Sequence, residues 1–219
     1  MTYARVGNAV SKEHQVLTLE TGKLSWRMIE CGVPHFPHSN SVCINGVLYY
    51  KAKLNGSCLT GDMMIMSFDV RSEKYSLIKV MEPFIDAVRH ATTLVNYNGK
   101  LASIRESECS YFRRENTSFE MWVLNDLMVQ AYLQTASDVG GGDVTGGVFL
   151  HCVGVTDSNE VVLANHSLDG PFYVFYYCLE SETIRRVEIQ GLGAFRGFRV
   201  YTFVDHVEDV KLLKGVLGL

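Results

Sequence analysis

The chain has 219 residues, a formal net charge of −4 at pH 7 and 47% hydrophobic residues. That hydrophobic content excludes a disordered tail, and the small negative charge excludes the general attraction of a basic face for nucleic acid. No apolar run approaches the ~20 residues that a membrane-spanning helix needs, and the first residues lack the apolar core of a signal peptide. We therefore expect an intracellular protein, cytoplasmic or nuclear, that binds neither nucleic acid nor a membrane.

The N-terminal part of the chain predicts a polar segment followed by one hairpin. Residues 1–14 are mostly polar. Val16–Leu19 and Leu24–Ile29 then carry the residues of two short strands, joined by a turn at Thr21–Lys23. This hairpin has the position expected for the outer half of a four-stranded unit.

Two copies of a longer pattern follow, each an Asn-Gly hairpin and then a hairpin that turns on an acidic residue. Asn45 and Asn98 lie 53 positions apart, and the acidic corners at Asp69 and Asp126 lie 57 apart. Asn-Gly favours a type I′ turn, which needs positive φ at both central residues. The hairpins of the two copies are predicted over Ser41–Tyr50, Met63–Val80, Thr93–Ala102 and Phe119–Leu133. Four short strands at such an interval are typical of one blade of a β-propeller.

The C-terminal third continues this pattern with polar tips in place of Asn-Gly. Its predicted strands are Phe149–Val155, Glu160–Ala164, Phe172–Cys178, Glu182–Ile189 and a last one at Arg199–Val204. The whole chain thus supplies about three and a half blades, whereas closed propellers carry about four to eight. We predict an all-β protein, a partial (truncated) β-propeller of four-stranded antiparallel blades.

One group of residues has the chemistry of a metal site but not the usual spacing. Cys31, His35, His38 and Cys43 form a C-x3-H-x2-H-x4-C pattern. Zinc accepts sulfur and imidazole ligands, but this spacing matches none of the common structural zinc patterns. A core position in the strand before Asn45 also explains Cys43. We therefore predict no metal site.

The sequence predicts no catalytic residues and no cofactor. The glycine-rich loop 191–197 leads to a strand-like segment, not to the helix that a dinucleotide site needs. No Gly-x-Ser-x-Gly or P-loop motif occurs, and we interpret His151 and His166 as structural. Turn bonding explains the carboxylates at hairpin corners, namely Asp69, Glu73, Asp126 and Glu180.

Cysteines and tryptophans within the strands are predicted to be core residues. Cysteines of an intracellular chain are reduced thiols, and Cys43, Cys152 and Cys178 lie in apolar strand contexts. Trp26 and Trp122 hold comparable strand positions. Both are expected to pack between blades.

Several of these segments together resemble the F-box-associated domain of plant F-box proteins, in its type 3 β-propeller form. The resemblance rests on Ser25–Arg27, Val42–Tyr50, Ser67–Tyr75, Leu94–Ala102, Glu120–Asp126 and His206–Asp209. These segments occur in the order of that family and span nearly the whole chain. The resemblance implies a domain over residues 15–213, with 214–219 as a tail.

In that family an N-terminal F-box binds a Skp1-type adaptor of a cullin-based ubiquitin ligase, and the propeller recognises the protein to be ubiquitinated. The residues before Val16 are too few to hold an F-box, so adaptor binding is not expected here. The resemblance implies a non-enzymatic protein-interaction domain that contacts a protein substrate. Its candidate contact loops are Pro34–Asn40, Asn55–Asp62, Ser107–Asn116 and Ser137–Gly147.

Two other interpretations remain open. A propeller can host a small-molecule or metal-dependent enzyme, which would bring histidines and carboxylates together at a central channel. The chain could instead be a non-functional gene fragment, whose exposed blade edges would promote aggregation.

Overall fold

The structure is a computed structural model of the chain. It describes residues 2–6, 9–20, 23–54, 63–79, 84, 88, 92–106, 117–124, 128–133 and 150–204. Three predicted contact loops (Asn55–Asp62, Ser107–Asn116 and Ser137–Gly147), the corner at Asp126, and the C-terminal segment from residue 205 lie outside these ranges.

The described residues form four antiparallel sheets, which confirms the all-β prediction. The first sheet contains β1 (Thr2–Val6), β2 (Ala9–Glu20) and β3 (Lys23–Glu30), and the second contains β4 (His35–Ile44), β5 (Val47–Leu54), β6 (Met63–Asp69) and β7 (Lys74–Ile78). The third contains β8 (Thr92–Tyr97), β9 (Lys100–Glu106), β10 (Thr117–Val123) and β11 (Met128–Leu133). The fourth contains β12 (Leu150–Val155), β13 (Glu160–Asn165), β14 (Phe172–Cys178) and β15 (Thr183–Ile189). Each four-stranded sheet is a meander of consecutive strands, as in a propeller blade.

The two Asn-Gly tips have the backbone geometry that the sequence predicts. The φ angles are 51° at Asn45, 81° at Gly46, 52° at Asn98 and 75° at Gly99. Positive φ at both central residues is the signature of a type I′ hairpin. These local turns fix which strands pair, so the strand order was predictable.

Turn bonding also explains the acidic corner at Asp69, as predicted. The Ser72 backbone N–H donates a hydrogen bond of 2.6 Å to Asp69 Oδ1. Hydrogen bonding to the ionised form, chiefly by Ser72, lowers the pKa of this carboxyl group.

The N-terminal segment contains strands that the sequence analysis did not predict. β1 lies within residues 1–14, and β2 already begins at Ala9. Polar residues interrupt the apolar pattern there, but β2 pairs with β3 from Glu13–Glu30 to Glu20–Lys23. Cross-strand pairing thus overrides weak local patterning.

The chain divides into two compact units, residues 1–79 with 207–219, and residues 80–206. Within the second unit, the third and fourth sheets bury one shared apolar core. Ile104 and Met121 from the third sheet and Val161 and Phe175 from the fourth are each at most 2% exposed. This packing of successive sheets is what a repeat of blades requires.

Within the first unit, an analogous core contains a cysteine and several methionines. Tyr50 and Ala52 of β5 and Met66 of β6 pack with Cys31, and Val16 of β2 lies against the same cluster. The first two sheets are therefore joined through the faces that carry these side chains.

Some predicted core positions were wrong. Trp26 is 53% exposed, because it lies on the face of β3 opposite to Ile29, which packs against the core of the first unit. Cys43 is exposed as well, since the alternation of β4 turns Ile44 inward instead. Trp122 and Cys152 are buried as predicted, whereas Cys178 is half-buried.

No helix within the described ranges has both the length and the apolar character to cross a bilayer.

Candidate binding surface

Residues 190–204 follow β15 but do not add a strand to the fourth sheet. They lie instead against the connection between β13 and β14. The backbone of this segment is held by three hydrogen bonds, from Val200 N to His166 O (2.9 Å), Gly197 N to Leu168 O (2.8 Å) and Leu168 N to Phe198 O (3.1 Å). A single bridge joins Arg199 to Ser167. The predicted strand at Arg199–Val204 was therefore wrong, because these residues pair with an irregular connection and not with a strand. The predicted inter-strand loop at 191–197 contains one short 3-10 helix, Gly193–Phe195.

Aliphatic residues of this segment fasten it to the fourth sheet. Leu192, Val200 and Val204 pack against a buried cluster that includes Val162 and Val174. An added Cβ on Gly154 would lie 3.0 Å from Val204 Cγ2. The segment is thus a packed part of the second unit.

Its aromatic residues, by contrast, face solvent. Phe195 is 56% exposed, Phe198 65%, Tyr201 68% and Phe203 80%. Four large aromatic residues exposed within nine positions are unusual for a surface that contacts only water. We call residues 195–203 the aromatic segment.

An apolar cavity of about 420 Å³ lies beside the aromatic segment. The fourth sheet contributes Val174, Tyr176 and Ile189 to its walls, and the segment contributes Tyr201 and Phe203. Ile189 is 40% exposed on the edge strand β15. The cavity can therefore accept an apolar side chain from a binding partner.

Arginines stack on aromatic rings around this region. The Arg185 guanidinium lies 3.8 Å from the Tyr176 ring centroid and donates two hydrogen bonds, of 2.9 and 3.0 Å, to Glu160. The Arg199 guanidinium lies 5.2 Å from the ring centroid of Tyr201. Arginine together with tyrosine and phenylalanine is the composition typical of protein interfaces.

The two histidines interpreted as structural meet below this segment. The rings of His151 and His166 stack with centroids 3.3 Å apart and planes 6° from parallel. Burial, His166 and Arg199 lower the pKa of His151 to about 4. Burial and then Arg199 lower the pKa of His166. The pair is therefore neutral at pH 7 and packs without charge repulsion.

The structure brings together only part of the metal-like sequence pattern. Cys31 Sγ lies 3.8 Å from His35 Nδ1 and both residues are buried, whereas His38 and Cys43 are exposed. His14, which lies outside that sequence pattern, completes a group of three potential ligands.

The candidate contact surface differs from the predicted loops. Pro34–Asn40 is not a loop, since β4 begins at His35 and pairs with β5 across a register shift between Pro37 and Ser41. The aromatic segment was missed because its residues were assigned to a loop and a strand. Its signal in the sequence was the density of phenylalanine, tyrosine and arginine over nine positions.

Comparison with known proteins agrees with the fold. Residues 1–207 match the family described as "F-box associated beta propeller domain". The chain is 49% identical over 210 residues to F-box protein DOR of Arabidopsis thaliana. The aligned residues make up 95% of this chain and 51% of that protein. It is 47% identical over 205 residues to F-box protein At5g65850 of the same plant, covering 93% and 51%. The chain thus spans about half the length of the curated relatives it matches.

Proposed function

Since the chain belongs to the F-box-associated β-propeller family, we propose that it is a protein-interaction domain that recognises the substrate of an SCF-type E3 ubiquitin ligase. The observation that supports this proposal most is the exposed aromatic segment beside an apolar cavity. Such a surface suits a polypeptide partner, because a few buried aromatic residues supply most of the free energy of binding at protein interfaces.

The size of the aromatic side chains makes the proposal energetically reasonable. Burying apolar area stabilises a complex by roughly 25 cal/mol per Å². Covering the exposed parts of Phe198 and Phe203, which are 65% and 80% exposed, would contribute about 1–2.4 kcal/mol each before the cost of association. The backbone that carries them is already held to the fourth sheet, so little ordering is needed on binding.

The same surface defines the chemistry of the partner. The cavity accepts an apolar side chain, and the exposed Arg196 and Arg199 favour carboxylates beside it. We therefore propose a substrate segment with an apolar anchor flanked by acidic residues.

Recognition without catalysis remains the proposal for this domain. The competing enzyme hypothesis requires histidines and carboxylates that converge. Among the described residues the group suited to a metal is His14, Cys31 and His35, which contains no carboxylate. Ubiquitin transfer would be performed by other subunits of the ligase.

The test compares two sets of substitutions at exposed apolar residues. One variant carries Phe195→Ser, Phe198→Ser, Tyr201→Ser and Phe203→Ser. Its matched control carries Trp26→Ser and Met28→Ser, two side chains that are 53% and 52% exposed in the other unit. Each is expressed with a tag in plant cells, crosslinked and purified, and its partners are identified by mass spectrometry.

We expect at least one partner to be recovered with the wild type and the control but lost from the aromatic variant. The purified partner should bind the wild-type chain saturably, and its half-life in cells should change with the level of the chain. If the aromatic variant retains the partner, the binding site lies outside the aromatic segment. A protein with a cooperative thermal transition but no saturable partner would contradict the proposed function, and one without a cooperative transition would favour the gene-fragment hypothesis.

A further inference from the structure

The core of the first unit contains a cluster of potential metal ligands that protein groups do not fully satisfy. His14 lies on β2, Cys31 directly follows β3, and His35 begins β4. Their exposed fractions are 1%, 2% and 1%. One ligand atom from each residue lies within 4.8 Å of the other two.

His14 gives the strongest indication that something is bound there. Neither Nδ1 nor Nε2 of His14 has a hydrogen-bond partner within the described part of the chain. A buried polar group without a partner destabilises the folded state, so such groups are rare unless something binds them. The ring of His14 stacks on His35, with centroids 5.4 Å apart and planes 18° from parallel, and one of its nitrogens lies within 4.8 Å of the ligand atoms of Cys31 and His35.

From this geometry we propose that His14, Cys31 and His35 bind a Zn²⁺ ion that fastens β2 to the start of β4. Zinc is bound by imidazole nitrogen at about 2.0–2.1 Å and by thiolate sulfur at about 2.3 Å. A tetrahedral ion with those bonds places its ligand atoms about 3.5 Å apart. The observed 3.8 Å between Cys31 Sγ and His35 Nδ1 is already close to that spacing.

The hydrogen bonds around Cys31 and His35 involve the same atoms that would bind the metal. His35 Nδ1 lies 2.7 Å from the Val33 carbonyl oxygen, which can only accept, so Nδ1 carries the proton in the metal-free state. The Cys31 thiol donates to the same oxygen at 3.3 Å. Zinc would replace the Nδ1 proton of His35 and the thiol proton of Cys31. The ring proton would then reside on Nε2, and the thiol proton would leave to solvent.

Tyr50 would then form a hydrogen bond with the metal-bound ring of His35. Its hydroxyl lies 2.8 Å from His35 Nε2. With zinc on Nδ1, the proton of the His35 ring resides on Nε2 and is donated to the Tyr50 oxygen. Metal-bound histidines almost always donate their second N–H in this way.

This proposal departs from the expectation of no metal site drawn from the sequence. The difference lies in His14, since Cys31 and His35 alone are too few to hold zinc. The three protein ligands leave a fourth position for a small ligand such as water. Because the three ligands are at most 2% exposed, a substrate would not reach the ion, and its role is to join the two sheets.

The test uses the full chain, stripped of metal with a chelator under reducing conditions and titrated with Co²⁺. A thiolate-to-cobalt charge-transfer band is expected at one equivalent in the wild type, and Zn²⁺ should displace it. Cys31→Ser and His14→Gln should lose the band and weaken Co²⁺ binding by more than about 100-fold, because loss of an outer partner alone costs about 10–100-fold. Tyr50→Phe should keep the band and bind about tenfold more weakly.

Two matched controls come from the exposed half of the sequence pattern. Cys43→Ser and His38→Gln should bind Co²⁺ like the wild type. A band lost in either control, or retained in His14→Gln, would overturn the assigned ligands. If circular dichroism shows that a variant does not fold, the metal titration of the wild type alone tests the site. A wild-type chain without a cobalt band, and whose melting temperature Zn²⁺ does not raise, would overturn the site.

Discussion

The cores of the two units are built from different chemistry, although both join consecutive antiparallel sheets. In the second unit, Ile104, Met121, Val161 and Phe175 form an apolar core. In the first, His14 and His35 are as deeply buried as those residues. Removal of apolar area from water is sufficient to stabilise an apolar core, whereas a buried imidazole also needs a hydrogen-bond partner or a metal. In the first unit both ring nitrogens of His14 lack a partner among the described residues, whereas in the second unit only Nδ1 of His151 does. The proposed ion therefore belongs to the first unit.

The largest expected effect is a loss of packing in the second unit. Phe175 is 2% exposed within its core, so Phe175→Ala should lower the free energy of unfolding by about 3–5 kcal/mol. Urea unfolding followed by circular dichroism measures this change. Val187→Ala, on the adjacent edge strand and 37% exposed, serves as control with an effect below about 0.5 kcal/mol. Equal effects of the two substitutions would contradict the assignment of the core.

The next largest effect tests the polar core of the first unit at His14. His14→Phe keeps an aromatic ring against His35 and Tyr75 but removes the unpartnered nitrogens. In the presence of a chelator it should raise the free energy of unfolding by about 1–3 kcal/mol. In excess Zn²⁺ the order should reverse, because only the wild type gains stability from the ion. A variant less stable than the wild type under both conditions would show that His14 is an ordinary packed side chain.

A smaller effect tests the repeat geometry that the two units share. Gly46 has a φ of +81°, which a residue with a Cβ adopts at a cost of about 1–2 kcal/mol. Gly46→Ala should therefore lower the free energy of unfolding by about that amount in urea. Gly32→Ala is the control, since Gly32 has no positive φ and an added Cβ there meets no described atom within 4 Å. A neutral Gly46→Ala would contradict the type I′ turn.

The smallest effect is the pH dependence that His151 contributes in the second unit. The pKa of His151 is about 4 in the folded chain and about 6.5 when unfolded. Between these values the unfolded state binds more protons, so stability falls as pH decreases from 6.5 towards 4. Solvent screening of this partly exposed ring limits the loss to the order of 1 kcal/mol. His151→Gln should flatten this part of the pH profile, and an unchanged profile would exclude His151 as its cause.

The strands were predictable because their turns are local. Asn45-Gly46 and Asn98-Gly99 specify their hairpins through two adjacent residues each, and the order of sheets follows the chain. The family resemblance is confirmed by the match over residues 1–207 and by the relatives.

The candidate sites were not predictable because they depend on long-range register. His14 reaches Cys31 only because β2 pairs with β3 so that His14 lies opposite Ile29. The aromatic segment is exposed because its aliphatic neighbours, among them Val200 and Val204, occupy the sheet surface instead. Neither arrangement follows from spacing along the chain.

The most direct test of recognition by the aromatic segment is hydrogen exchange of the chain with and without its purified partner. We expect amide protection upon binding over residues 190–204, with exchange over β3 (Lys23–Glu30) unchanged. Protection confined to β3, or no change at residues 190–204 in a saturated complex, would contradict the proposed binding surface.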